Sequence, residues 1–366
     1  MTSRDPAPSA TTTSPDLPWR VRLFISFFSL ITDATCRSNH TVNRFLLSIF
    51  DPRVSPNPRP VRGVRTADVT VDPSRNLWFR LFLPAASPNA GGRLPVVVYF
   101  HGGGFVFFSP ASRLFDDLCR WLCREIPVAI VSVNYRLAPE NRCPAPYDDG
   151  MDVLRFLDSQ GGAEGGPTLL REFFEVADLS SCFLFGDSAG ANIAHHVARR
   201  WSAGEALAGQ GRVALAGLVA LQAFFGGEER VGSEIRLVGS TDRADWMWKA
   251  FLPAGASRDH EVASPEKAVA GLGEGFPPAM VVTAGFDPLQ DWQRRYYEGL
   301  RRVGKKAMLV EYPASIHGFY MFPVLKDALA LMEELKGFIQ EQQKKRQRQL
   351  AGADDGEVAH AAPAAS

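Results

Sequence analysis

Two glycine-rich motifs, each set directly behind an apolar run, constrain this chain more than any other feature of it. Val96-Val97-Val98-Tyr99-Phe100 leads into His101-Gly102-Gly103-Gly104, and Phe183-Leu184-Phe185 leads into Gly186-Asp187-Ser188-Ala189-Gly190. A short apolar run stopped by glycine reads as a buried strand, and the helical pattern from Ala191 to Val197 makes the second motif a strand-turn-helix. Comparable runs recur at 94–100, 128–133, 182–185, 213–221, 279–284 and 307–311, with helical stretches between them near 111–125, 146–159, 189–201, 288–303 and 324–342. Continuous apolar strands alternating with helices predict an α/β fold with a mostly parallel sheet covered on both faces. Ahead of them, alternation over 67–72 and 77–83 predicts an antiparallel pair.

The flanks read differently. Residues 1–17, rich in Ser, Thr, Pro and Ala, have the composition of a disordered leader. Residues 18–60 hold two short helical patterns, the second around Thr41 to Phe50, and a proline-stiffened connector. The core is expected over 61–343, with a candidate helical cap insert at 222–275 that carries Trp246, Trp248 and Phe251 but no strong strand. A disordered tail is expected over 344–366. Its basic run at 344–348 reads as a solvated helix end, with a nuclear-import signal as the alternative. Leu23 to Ile31 is apolar like the centre of a signal peptide, but it starts late, follows Asp5 and Asp16, and lacks a small-residue cleavage site. It is also too short to span a bilayer. Phe24, Phe27, Phe28 and Ile31 fall at helical spacing, which predicts an amphipathic helix.

Composition narrows the class. Forty basic and forty acidic side chains cancel, so no global field draws the chain to nucleic acid or an anionic membrane. The five cysteines are odd in number and lack metal-ligand spacing, and Cys119 and Cys123 lie one helical turn apart among Leu118, Trp121 and Leu122. Free thiols in a reducing compartment are the simplest reading, which predicts a cytoplasmic protein, or a nuclear one if the basic run is read as a signal. No metal and no cofactor is expected.

The chemistry centres on Ser188. A serine hydroxyl needs a base within reach, and the turn Gly186-x-Ser188-x-Gly190 presents it at a strand end, with a helix N-terminus aimed at the same place. His101-Gly102-Gly103-Gly104 lets the backbone approach a ligand closely and point amides at one spot. With the amide of Ala189 this supplies three donors for a developing oxyanion. A phosphate-binding loop is the rival, but no Gly-Lys-Ser/Thr follows. His101 reads as a brace for the glycines. Asp287 follows the strand Val281-Val282-Thr283-Ala284-Gly285 and can orient an imidazole, with Asp291 as runner-up. Of the seven histidines only His317, in a loop between the last strand and the last helix, is placed as a base.

Together these motifs carry a family resemblance. His101-Gly102-Gly103-Gly104-Phe105, Tyr135-Arg136-Leu137-Ala138-Pro139-Glu140, Gly186-Asp187-Ser188-Ala189-Gly190, Asp287-Pro288-Leu289 and His317-Gly318-Phe319 resemble the hormone-sensitive-lipase-like group of α/β hydrolases. The segments from Thr41-Val42-Asn43-Arg44 to Asp72 and Phe224-Phe225-Gly226-Gly227 to Arg230 look like plant carboxylesterases, especially the carboxylesterase-18-like branch. The resemblance covers about residues 35–345. It implies an eight-stranded sheet with an N-terminal helical lid, hydrolysis of small carboxylic esters without a cofactor, a Ser188-Asp287-His317 triad, and oxyanion donors at Gly103, Gly104 and Ala189, with Gly102 in the same loop. The order Ser, Asp, His is the one this fold delivers. Asn141 departs from the histidine often found there. The gibberellin receptors of the same group keep the serine and lose the histidine, so His317 favours an enzyme over a receptor. A ligand sensor and a dehydratase or lyase on the same scaffold are the alternatives. Phe24, Phe27, Phe105 and Phe319 are expected as pocket walls, with plain core packing as the other reading of each.

Overall fold

The computed structural model describes residues 14–85, 92–161, 165–205 and 211–358. Two helices, α1 (Trp19–Thr35) and α2 (Arg44–Phe50), precede an antiparallel pair, β1 (Val64–Asp72) and β2 (Leu77–Pro84). Then come β3 (Leu94–Phe100), α3 (Arg113–Glu125), β4 (Ala129–Asn134), α4 (Ala145–Asp158), α5 (Thr168–Val176), β5 (Ala177–Asp187) and α6 (Ala189–Ser202). The chain continues through β6 (Leu215–Leu221), α7 (Gly232–Arg236), α8 (Val238–Phe251), α9 (Pro265–Val269), β7 (Ala279–Phe286), α10 (Gln290–Arg302), β8 (Ala307–Ile316) and α11 (Lys326–Val358).

One eight-stranded sheet results, in the order β1-β2-β4-β3-β5-β6-β7-β8. Only β1 with β2 and β2 with β4 pair antiparallel; every later pairing is parallel. This is the α/β-hydrolase arrangement. The sheet is covered on both sides, and β3 shows why its sequence is apolar throughout. Val96, Val98 and Phe100 enter one core, while Val97 and Tyr99 enter the other, where Cys119 and Cys123 of α3 also lie buried. All five cysteines are free thiols. No described helix is long and apolar enough to cross a membrane.

Several boundaries differ from the sequence reading. β5 begins at Ala177, five residues before the apolar run, and β8 continues to Ile316, past Glu311. The short α5 was not expected; it buries Leu169, Leu170, Phe173 and Phe174 on one face. The last helix does not stop near residue 342. It runs to Val358, through the basic cluster assigned to the tail, because residues 338–350 contain no helix breaker and Lys345 pairs with Glu341 one turn back. Residues 359–366 and 1–13, the rest of the expected tail and most of the leader, lie outside the described residues. Within 222–275 the regular elements among the described residues are the helices α7, α8 and α9, joined by irregular chain.

Candidate active site

The C-terminal ends of the parallel strands gather the site. β5 ends at Asp187, and Ser188 turns the chain into α6 at φ 51° and ψ −118°, a conformation L-residues rarely adopt. Neighbouring strands hold that turn: the Ser188 amide donates to the Leu221 carbonyl (2.8 Å) and the Phe224 amide donates to the Ser188 carbonyl (2.9 Å). The flanking glycines are required by space. A Cβ at Gly186 would collide with the Gly190 carbonyl, and one at Gly190 with the Phe100 carbonyl at the end of β3. Helix α6 can therefore start hard against the sheet.

β3 delivers the glycine loop, with Gly103 and Gly104 both at positive φ. The amides of Gly103, Gly104 and Ala189 have no acceptor among the described residues, which leaves three unspent donors beside Ser188. Two buried side chains fix the loop. His101 stacks on Tyr135 at 4.3 Å, its Nδ1 lies 2.9 Å from the Gly102 carbonyl, and burial pushes its pKa down to about 4, so it braces as a neutral ring. Asp187 accepts from the Gly102 amide (2.9 Å), from the Tyr99 hydroxyl and from the Tyr320 hydroxyl (3.3 Å). Burial raises the Asp187 carboxyl to about 6, against the opposing pull of these hydrogen bonds and of His317.

Asp287 and His317 meet beyond the ends of β7 and β8. His317 Nδ1 lies 2.7 Å from Asp287 Oδ2. Asp287 is fully buried and also accepts from the Leu289 amide (2.9 Å) and the Gln293 side-chain amide (2.8 Å), which satisfy its oxygens. Burial opposes a charge on His317, but the Asp287 carboxylate and its hydrogen bond outweigh it and hold the imidazole above its ordinary pKa. Gln222, just past β6, clamps the histidine loop from both sides. It accepts from the Gly318 amide (2.6 Å) and donates to the Ile316 carbonyl (3.1 Å). Ser188 and His317 line one cavity of about 460 Å³ under α1, with no direct hydrogen bond between them. Such contacts often tighten only around substrate.

Asp291, the runner-up acid, is directed elsewhere: it accepts from the Ser233 amide at the start of α7 (2.7 Å). Among the expected wall residues, Phe24 lines the cavity over Ser188, whereas Phe27 lines a neighbouring one. Phe105 and Phe319 are core residues. Phe105 stacks on Phe251 at 3.7 Å and Phe319 packs on Tyr312, both fully buried, because the chain leaves each motif turning inward. Asp187, Gln222, Gln293, Tyr99 and Tyr320 went unassigned from sequence. Only Asp187 had a signal, its place inside the serine motif.

Comparison with known proteins fits this picture. A family described as alpha/beta hydrolase fold matches residues 97–321. A gibberellin receptor of Arabidopsis thaliana is 38% identical over 88% of this chain and 94% of its own length. A 3-O-acetylpapaveroxine carboxylesterase of Papaver somniferum is 33% identical over 81% of this chain and 96% of its own. Among solved structures, an ester hydrolase from the metagenome of Lake Arreo, in complex with a bipyridine phosphonate derivative, superposes with a TM-score of 0.66 at 27% identity, over 88% of this chain and 98% of its own.

Proposed function

Because the chain belongs to the α/β hydrolases, in the group that holds plant carboxylesterases and gibberellin receptors, we infer that it is a serine carboxylesterase acting on esters of small molecules. The observation that carries this reading is the hydrogen bond between the fully buried Asp287 and the half-buried His317, which lines the same cavity as Ser188. Ser188 Oγ attacks the ester carbonyl, and His317 Nε2 accepts the hydroxyl proton as it does so. Asp287 keeps the proton on Nδ1, so that Nε2 is the basic nitrogen, and stabilises the imidazolium that forms. The free amides of Gly103, Gly104 and Ala189 receive the oxyanion; each such donor is worth about 3–4 kcal/mol in the transition state. His317 then protonates the leaving alcohol, and water, activated by the same nitrogen, releases the acid from Ser188.

The receptor relative motivates a second reading, a small-molecule sensor that keeps the scaffold. His317 and its satisfied carboxylate favour catalysis, since a binding site alone has no need of a base. The decisive experiment is hydrolysis of short-chain p-nitrophenyl esters by the wild type and by Ser188→Ala. We expect turnover that falls by at least about 10³-fold in the variant. An absence of Ser188-dependent turnover, together with no covalent organophosphate adduct on Ser188, would falsify the esterase reading.

A further inference from the structure

A second cavity, also of about 460 Å³, lies next to the one over Ser188, enclosed by α1, α2 and α3. Its volume is in the range of ligand-sized pockets, about 300–1,000 Å³. Ile31, Leu47, Phe50, Leu118 and Trp121 belong to it alone and make its interior apolar. Seven residues line both cavities, so only a wall one side chain thick divides them. That wall includes a stacked pair, Phe28 from the lid helix on Phe108, with ring centroids 5.5 Å apart. Phe108 belongs to the loop that continues from Gly103 and Gly104, and its backbone sits at φ 75°, so the partition is built from the oxyanion loop itself.

Charge sets the direction of this cavity. Arg62, Arg113 and Arg124 stand at its rim. Arg62 is paired with Asp117 and Arg124 with Glu125, while Arg113 has no ion pair among the described residues. Deeper in the wall, Asp51 and Arg120 are buried but satisfied, Asp51 by the Ser112 hydroxyl and Arg120 by Asp116, so the rest of the floor is apolar and the open end polar, the profile that accepts a hydrocarbon chain and returns its far end to water.

We propose that this second cavity is an apolar-chain subsite, entered past Phe28 and Phe108, which fits the protein to esters of medium-chain aliphatic acids. The assignment to the acyl arm rests on the esterase reading above. Phe107 and Phe108, on the oxyanion loop that would receive the carbonyl oxygen, line both cavities, so the second cavity opens beside the acyl carbonyl. Each methylene that passes into the cavity raises kcat/KM about fourfold, the equivalent of ~0.8 kcal/mol per buried CH₂.

The test compares p-nitrophenyl acetate with p-nitrophenyl octanoate in the wild type, Leu47→Trp and Ile31→Trp, two substitutions that fill the second cavity without touching the first. Expected is a wild-type preference for octanoate, cut at least tenfold by either filler, with acetate turnover within about twofold of wild type. Equal losses on both esters, or no loss on octanoate, overturn the proposal. A binding measurement separates it from the esterase reading: fluorescence titration with 11-(dansylamino)undecanoate on the same three proteins. If no ester is turned over but Leu47→Trp still weakens the probe tenfold, the subsite stands and the esterase reading falls. Probe affinity unchanged by both fillers removes the subsite whatever the kinetics.

Discussion

His317 depends on one carboxylate for its proton location, its orientation and its basicity, and each can be measured separately. With its pKa held above the ordinary histidine value, it is protonated, and useless as a base, over a wider acidic range. The rising limb of kcat/KM against pH should therefore lie above about 6.5. In Asp287→Asn the two larger raising influences are gone and only the weaker pull of Asp187 is left, so the limb moves to lower pH while kcat drops by about 10³–10⁴-fold from the loss of the correct tautomer. A limb that stays in place would show that Asp287 does not govern this base. Asp187 makes a different prediction. Its Oδ1 accepts from both the Gly102 amide and the Tyr99 hydroxyl and its Oδ2 from the Tyr320 hydroxyl, so Asp187→Ala strands all three donors. The oxyanion loop then loosens, and kcat should fall about 10–100-fold with little change in KM, read by steady-state kinetics on a short ester.

At the scale of elements, the N-terminal helices form a roof whose main fastening is Arg44. From the start of α2 its guanidinium reaches the Val106 carbonyl just past the oxyanion glycines, the Ala138 carbonyl (2.6 Å) and both oxygens of Glu140. A second fastening joins α1 to α8, where Arg243 makes a forked pair with Asp33; nearby, the Trp246 indole donates to the Arg37 carbonyl (2.8 Å). Arg44 is one-third exposed and Glu140 about half, so solvent weakens this link, and its loss should cost the closed roof about 1–2 kcal/mol. Arg44→Ala is therefore expected to raise KM on the order of tenfold with kcat nearly unchanged. A drop in kcat with constant KM would mean that Arg44 acts on the chemistry through Val106 and not on the roof. The sequence showed helices here through the spacing of Phe24, Phe27, Phe28 and Ile31. It did not show which phenylalanines face the cavity, because helical phase locates a face and not what lies under it.

Across the whole molecule, the antiparallel edge of the sheet is tied to α3 by buried charge. Arg80 of β2 contacts Asp68 of β1 and Asp116 of α3, and Arg120 also reaches Asp116, which is 2% exposed. Removing Asp116 leaves two buried guanidinium groups short of a partner. Asp116→Ala should destabilise the fold by about 3–5 kcal/mol, roughly 4–7 °C in Tm by thermal denaturation. A change below about 1 kcal/mol would show that the arginines find water or Asp68 instead.

What the sequence determined by itself was local or periodic: apolar strands in alternation with helices, the two glycine motifs at strand ends, and an acid and a histidine placed after later strands. Those features follow from the backbone's need to bury apolar strands on both faces and from the close packing that only glycine permits at Gly186 and Gly190. The tertiary structure decided whatever depends on distant segments meeting. Asp287 reaches His317 only because β7 and β8 lie side by side, and Gln222 can clamp the histidine loop only from the end of β6. Phe105 and Phe319, beside the motifs in sequence, turn inward to the core, while Phe28 and Phe108, 80 residues apart, stack into one wall. Burial and partnership are properties of the packed sheet and its roof, and no spacing along the chain encodes them.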